Sequence, residues 1–149
     1  MNELVNKDQL EKRALIYDLQ HFLEEQPEEV KIETDPLIEH FFAPGVYVRQ
    51  MFIPKDMVVV GKIHKTKHVS IISCGKVTVT TETGTETIEG PYTFINEPGD
   101  KRAVYAHEDT IWTTIHPTEE TDLVKIEQEV IATDYAQLEN PQTTLRIEE

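Results

Sequence analysis

The sequence has a single cysteine, a single tryptophan and half as many basic as acidic residues. Cys74 alone cannot form an internal disulfide bond, which is typical of proteins in a reducing compartment. No apolar run approaches the ~18 residues of a membrane-spanning helix. The first residues also lack the apolar segment of a signal peptide. We therefore expect a cytoplasmic protein that does not enter a membrane.

The shortage of basic residues limits the possible partners. Fourteen lysines and arginines stand against 28 aspartates and glutamates, which gives a formal net charge of −14. A surface this acidic repels the phosphate backbone of nucleic acids, so we expect no general nucleic-acid binding. The same balance leaves open a small anionic ligand that is held in one local basic pocket.

One stretch of the chain reverses the acidity. No aspartate or glutamate occurs between Asp56 and Glu82, whereas two histidines and several lysines do. The histidines are His64 and His68. The reversal predicts that a functional site lies in this part of the chain.

The 149 residues fit one domain with a helical segment at each end. Apolar residues at helical spacing predict an amphipathic helix over residues 8–26. Its expected inner positions are Leu10, Ala14, Leu15, Leu19, Phe22 and Leu23. An acidic linker over 27–36 follows, so that residues 1–36 form an N-terminal helix and linker.

The central segment has the pattern of β-structure. Residues 37–118 contain some eight short alternating runs with turn signals ~8–12 residues apart, which predicts a small β-barrel or sandwich. The helical period returns in 119–149, where Thr121 and Asp122 can cap a helix. This C-terminal helix, with Leu123, Ile126, Val130 and Ile131 on its inner face, is followed by a tail without strong pattern.

Two short segments resemble the cupin motifs. Residues 61–75 resemble the first motif, with His64 at the first metal histidine, Thr66 at the second and His68 at the glutamate. Residues 97–102, EPGDKR, resemble the second motif, with Arg102 at the histidine. The resemblance implies a mainly β, cupin-like β-barrel, a double-stranded β-helix or jelly roll, with an N-terminal and a C-terminal helix.

Longer phrases are similar to a group of small cupin-like proteins of tailed phages. They include APGVYVRQ, GKIHKTKH and EPGDKRAVYAHEDTIWTTIHPT. This resemblance covers roughly residues 37–131 and implies a phage protein in the host cytoplasm. Sequestration of a host signalling nucleotide would be one function of such a protein.

The resemblance also raises the question of a metal. Cupin enzymes hold a divalent transition metal with imidazoles and a carboxylate. His64 and His68 could be ligands here, and a third nitrogen could come from His40, His107 or His116. The guanidinium of Arg102 cannot become a ligand and would repel a divalent cation. We therefore expect no metal cofactor, and a metal-dependent isomerase or dioxygenase is the alternative.

The cation at position 102 favours an anion site. If residues 64–72 form one strand, His64, Thr66 and His68 share one face and the lysines at 65 and 67 the other. Arginine recognises phosphate and carboxylate groups with two parallel hydrogen bonds. The full set of candidate ligand-binding residues is His64, Thr66, His68, Arg102, Lys65, Lys67, Arg49, Tyr105 and Trp112.

Each candidate also has a structural interpretation. Arg102 could form an ion pair with Glu97 or Glu108, and the two aromatic residues could belong to the core. The leading prediction is non-catalytic binding of a small anionic ligand, such as a nucleotide or sugar phosphate, by a homo-oligomer. A virion structural or assembly protein is a further alternative.

Overall fold

The computed structural model describes residues 7–27 and 35–132. Most of the predicted linker and the predicted tail lie outside the described residues. The helices and strands within them are α1 (Lys7–Glu24), β1 (Ile38–Ala43), β2 (Val46–Ile53), β3 (Val58–Val60), β4 (Ile63–His64), β5 (His68–Cys74), β6 (Lys76–Thr81), β7 (Gly84–Glu89), β8 (Tyr92–Asn96), β9 (Ala103–Ala106), β10 (Thr110–Pro117), α2 (Leu123–Val130) and β11 (Ile131–Ala132), with a 3-10 turn at Asp35–Leu37.

The strands form two main antiparallel sheets. Five strands pair in the order β1-β2-β10-β5-β8, and four in the order β3-β9-β6-β7. A short pair, β11-β4, stands beside them. The predicted mainly β architecture with a helix at each end is confirmed. The sheets do not join into a closed barrel, because each main sheet ends in two edge strands.

The core lies between the two sheets. Met51, Ile53, Ile72 and Trp112 face inward from the five-stranded sheet. They pack against residues of the four-stranded sheet, namely Val77, Val79, Ile88, Val104 and Ala106. Buried and more exposed side chains alternate along β5, β6 and β9, since successive side chains of a strand point to opposite faces.

The basic stretch is not one continuous strand, so the condition under which His64, Thr66 and His68 would share one strand face is not met. β4 ends at His64, and β5 begins at His68. The chain changes partners between them, because β4 pairs with β11 whereas β5 pairs with β10 and β8. The backbone N–H of Lys65 donates to the carbonyl of Val130 (2.6 Å), which holds this break against the end of α2.

Helix α1 buries a different face from the predicted one. Ile16 is its buried residue, whereas Leu10, Leu15 and Phe22 are exposed. The helix contacts β3 and β6. An ion pair from Arg13 to Glu82 lies on the same side as Ile16. The side of this weakly amphipathic helix that faces the sheets therefore has Ile16 and the long-range ion pair of Arg13.

Helix α2 begins as predicted. The Asp122 side chain accepts from the backbone N–H groups of Val124 and Lys125 and caps the helix. Ile126 and Val130 are buried as expected, but Leu123 is exposed. No helix among the described residues is both long and apolar enough to cross a membrane.

Candidate functional site

A cavity of about 100 Å³ lies between the two sheets, at the end where β4, β5 and β10 meet. Its lining includes three cationic side chains, those of Arg49, Lys62 and Arg102, and no aspartate or glutamate. The remaining polar lining residues are His64, His68, Ser70, Asn96 and Thr114, and the apolar ones include Met51, Ile53, Val59, Val104 and Trp112. This is a locally cationic cavity in a chain of charge −14.

Three histidines from three strands lie side by side at this end of the sandwich. The ring centroids of His64 and His68 are 4.6 Å apart, and those of His68 and His116 are 4.4 Å apart. His68 and His116 meet because β5 and β10 are neighbours and both side chains point inward. The strand register therefore builds a cluster that is spread over more than 50 residues of sequence.

Burial keeps these imidazoles uncharged at neutral pH. Burial, together with the nearby His68, lowers the pKa of His64 to about 4. Burial and the neighbouring His68 and His64 lower the pKa of His116 to about 3. Burial also lowers the pKa of His68. Each neutral ring has one N–H donor and one acceptor nitrogen.

Hydrogen bonds fix two of the three rings. Nδ1 of His68 lies 3.0 Å from the carbonyl oxygen of Thr66 and donates to it. Nε2 of His116 lies 3.2 Å from the hydroxyl of Thr114. Nδ1 of His116 is buried without a hydrogen-bond partner among the described residues.

The guanidinium of Arg102 is held rigidly at the cavity. Its Nη2 donates to Asp100 at 2.8 Å, and the group lies 5.0 Å from the centroid of the Phe94 ring. With the Asn96 amide oriented to satisfy both neighbours, its oxygen accepts from Nε (3.1 Å) and Nη2 (2.9 Å) of Arg102, and its nitrogen donates to Ser70. The ion-pair partner is thus Asp100, and not Glu97 or Glu108 as expected from the sequence.

The residues do not fit a cupin metal centre. Within residues 7–27 and 35–132, no group of three or more histidine, cysteine, aspartate or glutamate side chains is arranged to hold a metal ion. The three neutral imidazoles are chemically able to be ligands. However, the fixed guanidinium of Arg102 lines the cavity with His64 and His68, and a cation there disfavours a divalent ion.

The structure brings five of the nine candidate residues together around the cavity. These are His64, His68, Arg102, Arg49 and Trp112. Trp112 is 9% exposed and packs edge-on against Phe94, so it belongs to the core as well as to the cavity wall.

The other four candidates lie away from the cavity lining. The Thr66 hydroxyl is buried and has no hydrogen-bond partner in the described part of the chain. Nζ of Lys65 donates to the carbonyl of Gln128. Lys67 forms an exposed ion pair with Glu97, and the Tyr105 hydroxyl donates to Asp56.

Several residues of the site were not among the nine. His116 was considered only as a possible third metal nitrogen, together with His40 and His107. Those two lie elsewhere: His40 bonds the Tyr47 hydroxyl and His107 bonds Thr78. Ser70 and Thr114 follow the same alternation as His68 and Trp112, so strand periodicity could have identified them.

Comparison with known proteins informs the fold alone. No protein-family model matches the sequence, and no curated protein matches it. Ectoine synthase from P. lautus resembles the structure with a TM-score of 0.50 at 10% identity, over 62% of this chain and 70% of that chain. The Cnp3 cupin domain of Schizosaccharomyces pombe has a TM-score of 0.48 at 17% identity, over 65% and 69%.

A cupin-2 domain containing protein from Shewanella frigidimarina is a third similar structure, with a TM-score of 0.45 at 13% identity, over 54% of this chain and 79% of that chain. Two of these three structures are named as cupin domains. None of these three structures tests the resemblance of the sequence to proteins of tailed phages. A shared fold does not define an activity, which has to be argued from the site.

Proposed function

We propose that this chain binds a small anionic ligand in the cavity between its sheets. The observation that carries the proposal is the lining, which has Arg49, Lys62 and Arg102 and no carboxylate. Lys62 and Arg102 also pair with carboxylates outside the lining, those of Glu127 and Asp100. In a chain with twice as many acids as bases, a cavity lined by cations and by no acid favours an anion over a cation. The surrounding acidic surface would then disfavour larger polyanions.

The volume of the cavity limits the size of the group that can bind inside it. Pockets for whole drug-sized ligands have volumes of about 300–1,000 Å³, whereas this cavity has about 100 Å³. It suits one phosphate or carboxylate group. The rest of a nucleotide or sugar phosphate would lie outside the cavity. We therefore propose a ligand class of small phosphorylated or carboxylated compounds.

Arg102 is the residue that we expect to contribute most. Asp100, Asn96 and the Phe94 ring fix its guanidinium before a ligand arrives, so little conformational entropy is lost on binding. Neutral His64 can add one N–H donor, and the Ser70 hydroxyl can add another. Arg102, His64 and Ser70 would then donate hydrogen bonds to one anionic group of the ligand.

Binding without catalysis is the form of the function that we propose. The cavity lining has no carboxylate and no cysteine, so its candidate general bases are His64 and His68. Burial lowers the pKa of both, which makes them weak bases. Capture of an anionic metabolite or signalling nucleotide, by its phosphate group, would be a function of this kind.

Calorimetric titration with inorganic phosphate, sulfate and acetate tests the proposal. We expect saturable binding of at least one of them. We also expect Arg102→Met to weaken it by at least about tenfold, since hydrogen bonds to charged groups are worth ~1.5–3 kcal/mol. Lys55→Met removes an exposed lysine away from the cavity and is the matched control. Equal affinity in Arg102→Met and the unchanged protein would contradict the proposal.

The alternative of a metal-dependent cupin enzyme rests on the three neutral imidazoles, which are chemically able to be ligands although the nearby Arg102 disfavours a divalent ion. Elemental analysis of the purified protein separates the two. One transition metal per chain, lost in His64→Ala, would replace the anion site by a metal site. Anion binding by a metal-free protein is the result that we expect.

We also propose that the protein is a homo-oligomer, formed through the outer face of the five-stranded sheet. An apolar row crosses all five strands there, made of Phe41, Val48, Ile115, Val69 and Ile95 in facing positions. Phe41 and Ile95 at its two ends are about half exposed. The row is uncharged, so two copies could pair through it while their acidic surfaces stay apart.

Light scattering coupled to size-exclusion chromatography measures the mass of the assembly. We expect a multiple of 17.2 kDa, and Ile95→Lys should reduce it to the mass of one chain. Glu86→Lys, on the four-stranded sheet, should leave the mass unchanged. A monomeric unchanged protein would contradict an interface through this row.

A further inference from the structure

A second and larger cavity lies outside the sandwich, and the function proposed above does not use it. Its volume is about 460 Å³. It is lined by both helices and by the short β4–β11 pair, with Tyr17 and Gln20 from α1, Ile63 from β4, Gln128 from α2, Ile131 from β11, and Lys101. This volume lies within the ~300–1,000 Å³ range of small-molecule sites.

Lys101 is a buried cation in this cavity. The residue is 5% exposed, and its Nζ donates to the carbonyl of Gly61 at 2.9 Å. Nζ also lies 4.9 Å from the centroid of the Tyr17 ring, in a cation–π contact. Among the described residues, no carboxylate lies within ion-pairing distance of this ammonium group.

An unpaired buried ammonium is unusual, because removing a charge from water is costly unless a counter-charge replaces the lost hydration. The cavity has two other charged lining residues, Lys62 and Glu127, and these form an ion pair with each other. Glu24 of α1 is the described carboxylate that acts on Lys101, but it forms no ion pair with it, and burial still lowers the pKa of Lys101. No described carboxylate therefore meets this ammonium group at contact distance. A bound anion would supply the missing counter-charge.

The rest of the lining defines the other parts of such a ligand. Oε1 of Gln20 is buried without a hydrogen-bond partner in the described residues, so it can accept from a hydroxyl or amino group. The remaining surface is mainly apolar, with Tyr17, Ile63, Val124 and Ile131. An apolar body of several carbon atoms would fit against it.

We propose that this cavity is a second binding site, which takes a small carboxylate with an apolar body. The carboxylate pairs with Lys101, the apolar body lies between α1 and α2, and a polar substituent reaches Gln20. The two sites share a wall, and Lys62 lines both cavities, but Lys101 lines this cavity alone and Arg102 lines the other alone. Ile63 and Lys101 line this cavity, whereas their neighbours His64 and Arg102 line the cavity between the sheets.

Titration calorimetry with octanoate tests the proposal in the full chain. We expect saturable binding of octanoate and weaker binding of 1-octanol, which has the same apolar body without the charge. Lys101→Met keeps most of the side-chain volume and should weaken octanoate binding by at least about tenfold. Lys55→Met, which removes a lysine that lines neither cavity, should bind octanoate like the unchanged protein.

Either of two results would overturn the second site. One is the absence of octanoate binding, and the other is equal octanoate affinity in Lys101→Met. Sulfate titration of the same preparation separates this proposal from the first. A Lys101→Met protein that binds sulfate but not octanoate is folded and has lost the second site alone.

A chemical experiment on the unchanged protein covers the case in which Lys101→Met fails to fold. Reductive methylation with formaldehyde and a hydride donor, followed by peptide mass spectrometry, reports the accessibility of each lysine. We expect octanoate to slow methylation of Lys101 by at least severalfold and to leave exposed Lys55 unaffected. The same rate at Lys101 with and without octanoate would contradict the proposal.

Discussion

Lys101 and Arg102 are consecutive in the chain, and their side chains line two different cavities. Gly61, in the segment between β3 and β4, forms hydrogen bonds with both residues. Its N–H donates to the carbonyl of Arg102 at 2.9 Å, and its own carbonyl accepts from Nζ of Lys101. A single extended segment thus provides one cation to each side of a shared wall.

Removal of the acidic partner of Arg102 should strengthen anion binding. Asp100 accepts from Arg102 at 2.8 Å and from the backbone N–H of Glu97 at 3.1 Å. Asp100→Asn keeps an acceptor for both donors but removes the competing negative charge. We expect sulfate affinity to rise by roughly two- to fivefold, which corresponds to the ~0.4–1 kcal/mol of a partly solvated ion pair.

Asp109→Asn is the matched control for that variant, because it removes the same charge from an exposed turn that does not line the cavity. Calorimetric titration with sulfate measures both proteins. Weaker binding in Asp100→Asn would show that the carboxylate positions Arg102 more than it competes with the anion.

Anion binding should strengthen as the pH falls from 7 to 5. In the free protein, burial and the nearby His68 lower the pKa of His64 to about 4, so the ring is neutral at pH 7. A bound anion stabilises the protonated ring and raises this pKa, and binding then takes up a proton. The affinity rises by at most about tenfold per pH unit for each proton taken up.

Sulfate is a suitable probe because it keeps both of its charges over this pH range. Titrations in buffers with different ionisation enthalpies measure the proton uptake directly. His64→Gln should bind sulfate with a smaller pH dependence. An affinity that does not change between pH 7 and 5 would contradict a role for His64 beside the anion.

The free protein should lose stability as the pH falls below the ordinary histidine pKa of about 6.5. His116 has a folded-state pKa of about 3 because of its burial and its two histidine neighbours. Between these values the unfolded chain binds more protons than the folded one, so the free energy of unfolding decreases with decreasing pH. The slope is at most about 1.4 kcal/mol per pH unit for each such histidine.

Urea denaturation at several pH values between 7 and 4 measures this slope. His116→Gln removes one of the titrating groups and should make the dependence less steep, although the variant also loses packing in the cluster. An unchanged slope in His116→Gln would show that other groups cause the acid sensitivity.

Gly75 should be essential for the turn between β5 and β6. Its φ is +105°, which side-chain-bearing residues rarely adopt. A Cβ atom there would clash with the Thr110 side chain and lie 2.6 Å from the carbonyl oxygen of Asp109. Gly75→Ala therefore combines backbone strain with a steric clash.

Gly45→Ala separates the two contributions. Gly45 has a φ of +78°, but a Cβ atom there would meet nothing within 4 Å. We expect Gly75→Ala to reduce the free energy of unfolding by at least about 2 kcal/mol more than Gly45→Ala does. Equal losses in urea denaturation would show that the clash with β10 relaxes at no cost.

Local patterns in the sequence predicted most of the strands and the cap of α2. Alternation of apolar residues is a property of neighbouring positions, as are the turn residues that separate the strands. Asp122 accepts from Val124 and Lys125, so its capping role also depends on a few adjacent residues. Predictions of this kind need no knowledge of the rest of the chain.

Contacts between distant segments were not predictable in the same way. His116 joins His68 through the pairing of β5 with β10, and a shift of that register by one residue would point it to the opposite face. The break after His64 arises because β4 pairs with β11, near the end of the described chain. Arg13 of α1 likewise pairs with Glu82, which is 69 residues further along the chain.

Anomalous diffraction from crystals soaked in selenate tests the central claim most directly, since selenate has the shape and charge of sulfate and its selenium atom can be located by itself. The account predicts one selenate in the cavity between the sheets, with oxygens at about 2.7–2.9 Å from the Arg102 guanidinium, and no such selenate in Arg102→Met crystals. A cavity without selenate, or a metal peak among His64, His68 and His116 in untreated crystals, would contradict it.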